Sequence, residues 1–390
     1  MSPAGSAPGE EARILVVDDD RAVLHSVQRI LEPDYRVRAV ASPDEALEAA
    51  RELEPHVAVL DIRMPGMDGF ELMNRLKALD DDVQVVLMTG SVYQMDEQLV
   101  RALREKAFYY ITKPFDRGVL RTLVQRAVER RLLEDANRRH LAHLESQLAE
   151  ARSFQQTMLP PREARLEGYE ICAGYRPTVE LAGDLYDYAS DGADGIALLV
   201  ADVVGHGASA AMLTAIVKSS FRSSHPERYD PLAIVRRVSD SIAAFEADRF
   251  VTLLAARLAG DVLEYVSAGH EGGVVVRAGQ NPVTLTPTGP IVSPVLAFLG
   301  WQRRRVECPP GSLVLLYTDG ISEASDGAEP FGVERIHAIA RRGESGPAGL
   351  VETLFREVDG FVRGRPANDD RTVLAARKGT ASQTGVSVPG

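Results

Sequence analysis

The sequence predicts a chain of three parts, because three patterns follow one another along its 390 residues. From 12 to 118, short apolar runs alternate with helical segments, which predicts an α/β domain with a five-stranded, doubly wound parallel sheet. Residues 119–159 form one helical linker, rich in Leu, Ala, Arg and Glu. Residues 160–378 hold many short strands, which predicts an α+β domain with a two-sheet β-sandwich flanked by helices. We expect 1–11 and 379–390 to be disordered.

The composition narrows the possible classes of function. The formal net charge is -12, and no segment is basic enough to attract a phosphate backbone, so we expect no nucleic-acid partner. No run approaches the roughly 20 apolar residues of a membrane span, and the first residues do not resemble a signal peptide. We therefore expect a cytoplasmic protein without a membrane partner. The two cysteines, Cys172 and Cys308, cannot form a zinc cluster by themselves.

Strand and helix signals alternate regularly in the first domain. The run RILVVDDD is a buried strand that ends in acids, and helical spacing follows from Arg21 to Leu31. Ser42, Pro43 and Glu45 form a capping box that predicts the start of the second helix. The runs HVAVLD, VQVVLMTG and FYYITKP complete five strands. Such strands belong to a parallel sheet covered on both faces.

Polar residues stand where these strands end, and ligands of α/β sheets bind at that edge. The residues are Asp18, Asp19, Asp20, Asp61, Thr89 and Lys113. Clustered carboxylates predict a hard cation such as Mg²⁺, and Asp61 could then accept a phosphoryl group whose charge the cation and Lys113 balance. Any one of these aspartates could equally be a turn residue, but the whole set is more specific.

The motifs VVDDD, DIRMPGMDG, MTG and ITKP, in this order, resemble the receiver domain of bacterial response regulators, which has a flavodoxin-like fold. The resemblance implies a sensor histidine kinase or another phosphodonor as partner, and Mg²⁺ as cofactor. It also implies a role for each matching residue: Asp61 as phosphoacceptor, Asp18, Asp19 and the carbonyl of Arg63 with Asp61 around the metal, Thr89 and Lys113 on the phosphoryl group, and Tyr110 as the aromatic switch.

The linker has a heptad pattern that predicts a coiled-coil signalling helix paired in a homodimer. Its core positions are Leu120, Ala127, Leu141 and Leu148 at a, and Leu123, Leu144, Ala151 and Met158 at d. The same register places Arg130, Glu134, Asn137 and Gln155 in the seam. The alternative is a surface helix that lies on one domain and leads to the next. The segment FQQTMLPP at its end resembles the junction that precedes the catalytic domain of RsbU-like phosphatases.

Four aspartates stand at strand ends or turns of the second domain: Asp184 in LAGDLYD, Asp202 in LVADVVGHG, Asp319 in LLYTDGISEA and Asp369 in ANDDRT. Taken singly, an Asp-Gly pair is above all a turn signal. Together, such carboxylates could hold two Mg²⁺ or Mn²⁺ ions that bind a phosphate monoester and activate water. This chemistry needs no nucleophile from the protein.

The order of these motifs, with SAGH between them, resembles the metal-dependent protein serine/threonine phosphatases of type 2C, in the SpoIIE and RsbU branch. The resemblance implies metal ligands at Asp184, Asp202, Asp319, Asp369 and the carbonyl of Val203. Asp370 would support Asp369 or other residues that hold the metal ligands in place. Asp187 is a weaker candidate for a metal ligand. The chain departs from the family pattern at Ala182, Val204 and Glu271, which bears on the shape of the substrate loops.

Two histidines of this domain, His206 and His270, allow two interpretations. Either could donate a proton to a leaving serine alkoxide. Alternatively, both are turn residues shaped by their glycine neighbours, which is the interpretation we favour.

These resemblances imply a response regulator in which phosphorylation of Asp61 controls a protein phosphatase. The implied substrate is a phosphorylated anti-anti-sigma factor of the STAS type in a partner-switching pathway. One alternative is a non-enzymatic adaptor that the receiver gates and that binds a sigma-factor regulator. Another is a phosphatase that acts on an unrelated phosphoprotein.

Overall fold

The computed structural model describes residues 12–90, 109–179, 181–205, 207–244, 250–342 and 346–379. The chain folds as two compact units, Met1–Glu145 and Ser146–Gly390. Within the described ranges, no helix combines the length and the apolar character that a membrane crossing requires.

The first unit contains a five-stranded parallel sheet in the order β2-β1-β3-β4-β5, which confirms the predicted fold. Its strands are β1 (Arg13–Val17), β2 (Arg36–Val40), β3 (Val57–Asp61), β4 (Gln84–Thr89) and β5 (Tyr109–Thr112). Its first helices are α1 (Arg21–Leu31), α2 (Pro43–Leu53) and α3 (Gly69–Leu79). The expected cap of α2 is present, because the Ser42 hydroxyl accepts a hydrogen bond from the Glu45 amide.

Both faces of this sheet are buried, as continuous apolar strands require. In β1, Leu15 and Val17 pack with α2 and α3, whereas Ile14 and Val16 pack with α1 and the first turns of the next helix. The alternation of side chains along a strand explains this division. The sheet therefore presents its strand ends, and the polar residues on them, at one edge.

Helix α4 (Arg117–Met158) is a single helix of 42 residues that leads from the first unit into the second. Its first turns do not form the predicted seam. Leu120 and Ala127 are fully buried in the core of the first unit, where they cannot pair with a second chain. The beginning of the linker thus behaves as the alternative interpretation describes, as a helix lying on one domain. Farther along, Leu141, Leu144 and Leu148 are exposed.

A polar loop holds the next turns of α4 against the first unit. Arg131 forms an ion pair with Asp80 at 2.9 Å. Gln84 donates a hydrogen bond to Glu134 at 3.0 Å. Arg138 forms a further ion pair with Asp82. The loop between α3 and β4, with the first residue of β4, therefore holds the helix for several turns beyond the apolar core.

The second unit contains two antiparallel sheets, in the orders β14-β11-β10-β9-β8 and β13-β12-β15-β16-β7-β6. The strands are β6 (Glu163–Leu166), β7 (Tyr169–Arg176), β8 (Asp184–Ser190), β9 (Ile196–Val203), β10 (Val251–Ala259), β11 (Val262–Ala268), β12 (Gly273–Val276), β13 (Val283–Thr284), β14 (Arg304–Glu307), β15 (Leu313–Tyr317) and β16 (Arg371–Lys378). The helices are α5 (Ala208–Arg222), α6 (Pro231–Ala243), α7 (Asp319–Ser322), α8 (Val333–Arg342) and α9 (Gly346–Val362).

These elements form four layers. Helices α5 and α6 cover the outer face of the first sheet, α8 and α9 cover the outer face of the second, and the inner faces pack against each other. Along β9, Ala197, Leu199 and Ala201 face the helices, whereas Leu198 and Val200 face the other sheet. Both faces of β9 are buried, which explains its unbroken apolar sequence and confirms the predicted sandwich flanked by helices.

Candidate functional site

The receiver pocket lies where β1 and β3 end side by side. The carboxylate oxygens of Asp18, Asp19 and Asp61 lie within 4.8 Å of one another. The Lys113 ammonium lies 2.5 Å from Asp18 Oδ2 and 2.6 Å from Asp61 Oδ1. The structure therefore brings together the three acids and the lysine that the sequence selected.

The charges of this pocket are coupled. Burial raises the pKa of Asp18, although its contacts with Lys113 oppose the change. Burial alone would lower the pKa of Lys113, but the hydrogen bonds to Asp18 and Asp61 hold it above its ordinary value. Three carboxylates against one ammonium form an oxygen-rich, negatively charged pocket, which suits a hard cation such as Mg²⁺.

The remaining receiver candidates surround this group. The Arg63 amide donates to Asp61 Oδ2 at 3.1 Å. Thr89 is buried at the end of β4, and its carbonyl accepts a hydrogen bond from the Lys113 amide. The Tyr110 hydroxyl is buried and has no hydrogen-bond partner among the residues described. Asp20 is different, because its side chain caps α1 at the Ala22 amide.

In the second unit, Asp184 and Asp202 lie opposite each other on the paired strands β8 and β9. Side chains alternate along a strand, and Tyr186 and Val200, two residues away from them, pack between the two sheets. Asp184 and Asp202 therefore also face the space between the sheets, at the end of the sandwich.

Asp184 links the two sheets. Its Oδ2 accepts hydrogen bonds from the hydroxyls of Thr318 at 2.7 Å and Thr372 at 2.6 Å, both of which belong to the second sheet or its loops. Burial raises the pKa of Asp184 well above its ordinary value, and the nearby charge of Asp202 raises it further. An opposing cation would offset the cost of ionising this carboxyl.

Asp202 is the acid on which the other charges of this site converge. Burial raises the pKa of Asp202, and together with the charges of Asp319 and Asp369 it brings this pKa to about 7. Asp319 begins α7 two residues after the end of β15, and Asp369 lies two residues before the start of β16; both are exposed. The four predicted acids thus share one end of the sandwich. Among the residues described, however, only the receiver acids bring three ligand oxygens within 4.8 Å of one another.

Two glycines allow the loops of this site to approach closely. A Cβ on Gly183 would lie 2.5 Å from the Val203 carbonyl oxygen, and one on Gly320 would lie 1.9 Å from the Asp370 carbonyl oxygen. Neither distance is compatible with a side chain. The Gly-Asp and Asp-Gly pairs therefore do more than turn the chain, because they let backbone from different loops pack together beside the acids.

Asp370 supports the Gly183 loop. Its carboxylate accepts hydrogen bonds from the amides of Thr178 and Gly183, at 2.7 Å and 2.9 Å, and from the Thr178 hydroxyl. Asp370, the residue before β16, is thus hydrogen-bonded to Gly183, the residue before Asp184.

Asp187 was a weaker metal candidate, and the structure places it elsewhere. It lies three residues after Asp184 and hence on the opposite face of β8, toward α5. Its fully buried carboxylate lies 2.8 Å from the Lys218 ammonium and also pairs with Arg222. Asp187 therefore fixes α5 on the sheet and is not available to the site between the sheets.

His270 has both ring nitrogens engaged. Nε2 lies 3.0 Å from the Tyr317 carbonyl oxygen, to which it donates, so Nδ1 accepts from the Thr252 hydroxyl at 3.0 Å. Burial lowers the pKa of His270 to about 4. A neutral, doubly bonded ring agrees with the structural interpretation and leaves no proton for a leaving group. His206 lies outside the described residues.

Gln155, near the end of α4, is a site residue that sequence reasoning assigned to the coiled-coil seam. Its side chain is buried, and its amide nitrogen donates to the Ala182 carbonyl at 2.8 Å, while the Ala182 amide donates back at 3.2 Å. The same nitrogen contacts the Thr214 hydroxyl of α5. The linker helix is thus bonded to the residue two positions before Asp184. The one feature of the sequence that could have indicated this contact is a polar residue at a core position of the heptad pattern.

Two family models match the chain. Residues 14–125 match the response regulator receiver domain, and residues 192–379 match stage II sporulation protein E (SpoIIE). The C4-dicarboxylate transport transcriptional regulatory protein DctD of Rhizobium meliloti is 36% identical over 126 residues, which cover 32% of this chain and 27% of DctD. Protein IcfG of Synechocystis is 26% identical over 260 residues, which cover 59% of this chain and 41% of IcfG. The chain therefore spans less than half the length of these curated relatives.

Among solved structures, the SiaA-PP2C domain of Pseudomonas aeruginosa matches with a TM-score of 0.54 and 20% identity, over 61% of this chain and 98% of that domain. At this identity the likeness shows the fold. Together with the two family models, it shows that the chain joins a part that matches the response regulator receiver domain to a part that matches SpoIIE and has the fold of that PP2C domain.

Proposed function

We propose that this protein hydrolyses phosphoserine or phosphothreonine esters of a protein substrate, and that phosphorylation of Asp61 controls the rate. The observation that carries this proposal is the convergence of four acids at one end of the sandwich, where burial and neighbouring carboxylates raise the pKa of Asp202 to about 7. Carboxylates gathered in this way are costly without a cation. Because all four acids are present, we prefer an enzyme to a non-enzymatic adaptor.

We propose Asp184, Asp202, Asp319, Asp369 and the carbonyl of Val203 as the ligands of two Mn²⁺ or Mg²⁺ ions. Oxygen donors, most of them carboxylates, fit these hard cations. When bound, such ions supply a water of lowered pKa and neutralise the charge on a phosphoryl group.

The protein's own residues orient this chemistry. The two threonine hydroxyls on Asp184 fix its carboxylate, and Asp370 holds the Gly183 loop in place. His270 forms hydrogen bonds with both Thr252 and Tyr317. Thr252 lies opposite Asp202, and Tyr317 lies two residues before Asp319. In the reaction, a water oxygen bonds to phosphorus as the ester bond breaks, and the serine oxygen leaves with a proton. Because both ring nitrogens of His270 are engaged, we propose that this proton comes from water and not from His270.

We propose that a sensor kinase or another phosphodonor transfers a phosphoryl group to Asp61. Lys113 contacts both Asp61 and Asp18, so a new negative charge on Asp61 would redistribute these contacts. Thr89 and Tyr110 would respond next, since the lysine amide bonds to the Thr89 carbonyl and the tyrosine hydroxyl has no partner to hold it in the described structure.

Gln155 provides a physical route from the linker to the catalytic domain. Any movement of the last turns of α4 would change the hydrogen bonds between Gln155 and Ala182, and hence the loop that carries Gly183 and Asp184. We propose that phosphorylation changes the rate of hydrolysis by biasing this loop between two positions, of which one favours metal binding.

The exposed part of α4 supports a homodimer. Leu141, Leu144 and Leu148 occupy the predicted seam and are exposed in the single chain. We propose that these leucines pair with those of a second chain, although Leu120 and Ala127 cannot. Sedimentation of the protein with Leu141 and Leu144 changed to Lys should then show a monomer, and an unchanged dimer would contradict this interface.

We propose a phosphorylated anti-anti-sigma factor as the substrate, in a partner-switching pathway in the cytoplasm, because the order of the sequence motifs resembles that of the SpoIIE and RsbU phosphatases.

Hydrolysis of an aryl phosphate with added Mn²⁺ tests the catalytic proposal. We expect turnover that requires Mn²⁺, that Asp319→Asn abolishes, and that changes when beryllofluoride mimics the phosphoryl group on Asp61. Asp261→Asn is the matched control and should keep the wild-type rate. Asp261 is an exposed aspartate in the turn between β10 and β11, at the end of β10 that is farther from Asp202. Equal turnover by the Asp319→Asn protein would refute the site. An unchanged rate with beryllofluoride would refute control by the receiver.

A further inference from the structure

The loop between β13 and β14 displays three apolar side chains. Val295, Phe298 and Leu299 are 76%, 80% and 60% exposed. Exposed clusters of large apolar side chains are uncommon on a protein surface and often mark a binding site. This loop belongs entirely to the second unit.

The loop is firmly attached on both sides of these residues. Val292 exchanges two backbone hydrogen bonds with Val251, at 3.0 Å and 2.9 Å. The Trp301 indole donates to the Pro290 carbonyl at 2.7 Å. Ala297, between the exposed residues, packs against the core formed with α5 and α6. The apolar side chains are therefore presented by a fixed backbone, which lowers the entropy that binding would cost.

The attachment places this loop beside the candidate catalytic site. Val251 pairs on one side with Val203, the residue directly after Asp202, and on the other side with Val292. Val292 therefore lies one strand away from the residue that follows Asp202. At this end of the strands, the Val204 amide donates to the Phe250 carbonyl, and both side chains are exposed. We call Val204, Phe250, Val295, Phe298 and Leu299 the apolar rim.

The chemistry of the rim differs from that of the site beside it. Asp202, Asp319 and Asp369 give the site negative charge, which bound cations and a phosphoryl group would balance. The rim offers apolar contact and no side-chain charge. A small aryl phosphate offers little apolar surface beyond its phosphoryl group, whereas a phosphoserine on a protein would bring neighbouring side chains onto the rim.

We propose that the apolar rim docks the phosphoprotein substrate by contacting apolar side chains that flank its phosphoserine. This inference rests on the proposed phosphatase activity and specifies its substrate class. Substrates are selected by a patch of leucine, valine or phenylalanine beside the phosphoserine. Val204, which departs from the family pattern, is part of this selection.

The test compares two synthetic phosphoserine peptides of equal length, one with leucines flanking the phosphoserine and one with serines. We expect kcat/KM to favour the leucine peptide by about tenfold or more, the effect of one well-buried apolar side chain. The double variant V295S/F298S should lose this preference and should hydrolyse aryl phosphate at the wild-type rate. Val262→Ser is the matched control, because Val262 is an exposed valine at the opposite end of the same sheet; this variant should keep the preference.

Equal kcat/KM for the two peptides, or a preference that survives in V295S/F298S, would overturn the proposal. A slower aryl phosphate reaction in that variant would also overturn it, because the loop would then support the catalytic site itself. A change in sedimentation would indicate that the rim contacts a second copy instead. Fluorescence anisotropy of labelled peptides measures docking without turnover. If the wild-type protein binds the leucine peptide preferentially but hydrolyses neither peptide, the proposed phosphatase activity is refuted and the proposed docking on the apolar rim is retained.

Discussion

Replacing Asp202 by Asn should stabilise the metal-free protein near neutral pH, although it should abolish activity. The pKa of Asp202 is raised from 3.8 to about 7. Between these values the folded protein keeps a proton that the unfolded chain has released, so the free energy of unfolding falls as the pH rises. About three pKa units at 1.36 kcal/mol each give on the order of 4 kcal/mol above pH 7. Asp202 is partly exposed, and solvent screening lowers this to about 2 to 4 kcal/mol.

Denaturant unfolding in EDTA, at about pH 4 and about pH 8, measures this effect. Asp202→Asn should match the wild type at the lower pH and exceed it at the higher pH, because only there is the wild-type carboxylate charged in the fold. Asp187→Asn is the matched control on the neighbouring strand. It leaves Lys218 and Arg222 without their buried partner and should destabilise the protein by roughly 3 kcal/mol.

Two results would refute this reasoning. One is a stability difference between Asp202→Asn and wild type that does not change with pH, since the effect would then be packing. The other is equal stabilisation of both proteins by Mn²⁺, since Asp202 would then hold no metal in the second domain.

Lys113→Ala should keep the basal aryl phosphate rate and lose the response to beryllofluoride, because Lys113 links Asp18 to Asp61; a retained response in the same assay would contradict this role. Gln155→Leu should also bring the ratio of the two rates toward one, while a receiver-only readout such as beryllofluoride-induced Tyr110 fluorescence persists; loss of both signals would instead indicate misfolding. Thr252→Val should raise the Mn²⁺ concentration at half-maximal rate by roughly fivefold, the effect of about 1 kcal/mol of lost hydrogen bonding, and Thr252→Ser should restore it.

The sequence predicted the receiver pocket well, because its residues follow buried strands of one parallel sheet. Once β1 and β3 are neighbours, Asp18 and Asp61 must end at the same edge. The candidate metal ligands of the second domain could also be selected, since each stands beside a strand end and a turn residue. The distances between these acids could not be predicted from the sequence, because they depend on how the two sheets pack.

Other roles required the three-dimensional structure. Asp187 and Asp184 lie in one short motif, yet the alternation of β8 sends them to opposite faces, which a motif match does not reveal. The heptad pattern of α4 treated Leu120 and Leu141 alike, although the first is buried by its own domain and the second is exposed. Apolar spacing shows that a helix has a buried side but does not identify what covers it.

Gly183 and Gly320 have a consequence for how variation in this chain should be interpreted. Neither has a side chain that could take part in chemistry, yet at each position a single methyl group would collide with a backbone carbonyl oxygen. In a complete mutational scan for activity, alanine at either position should be as damaging as the loss of an aspartate. The tolerance of this site to mutation is therefore set by the close contact of backbone segments as well as by charge. Glycine is the residue to inspect first when an otherwise intact relative has lost its activity.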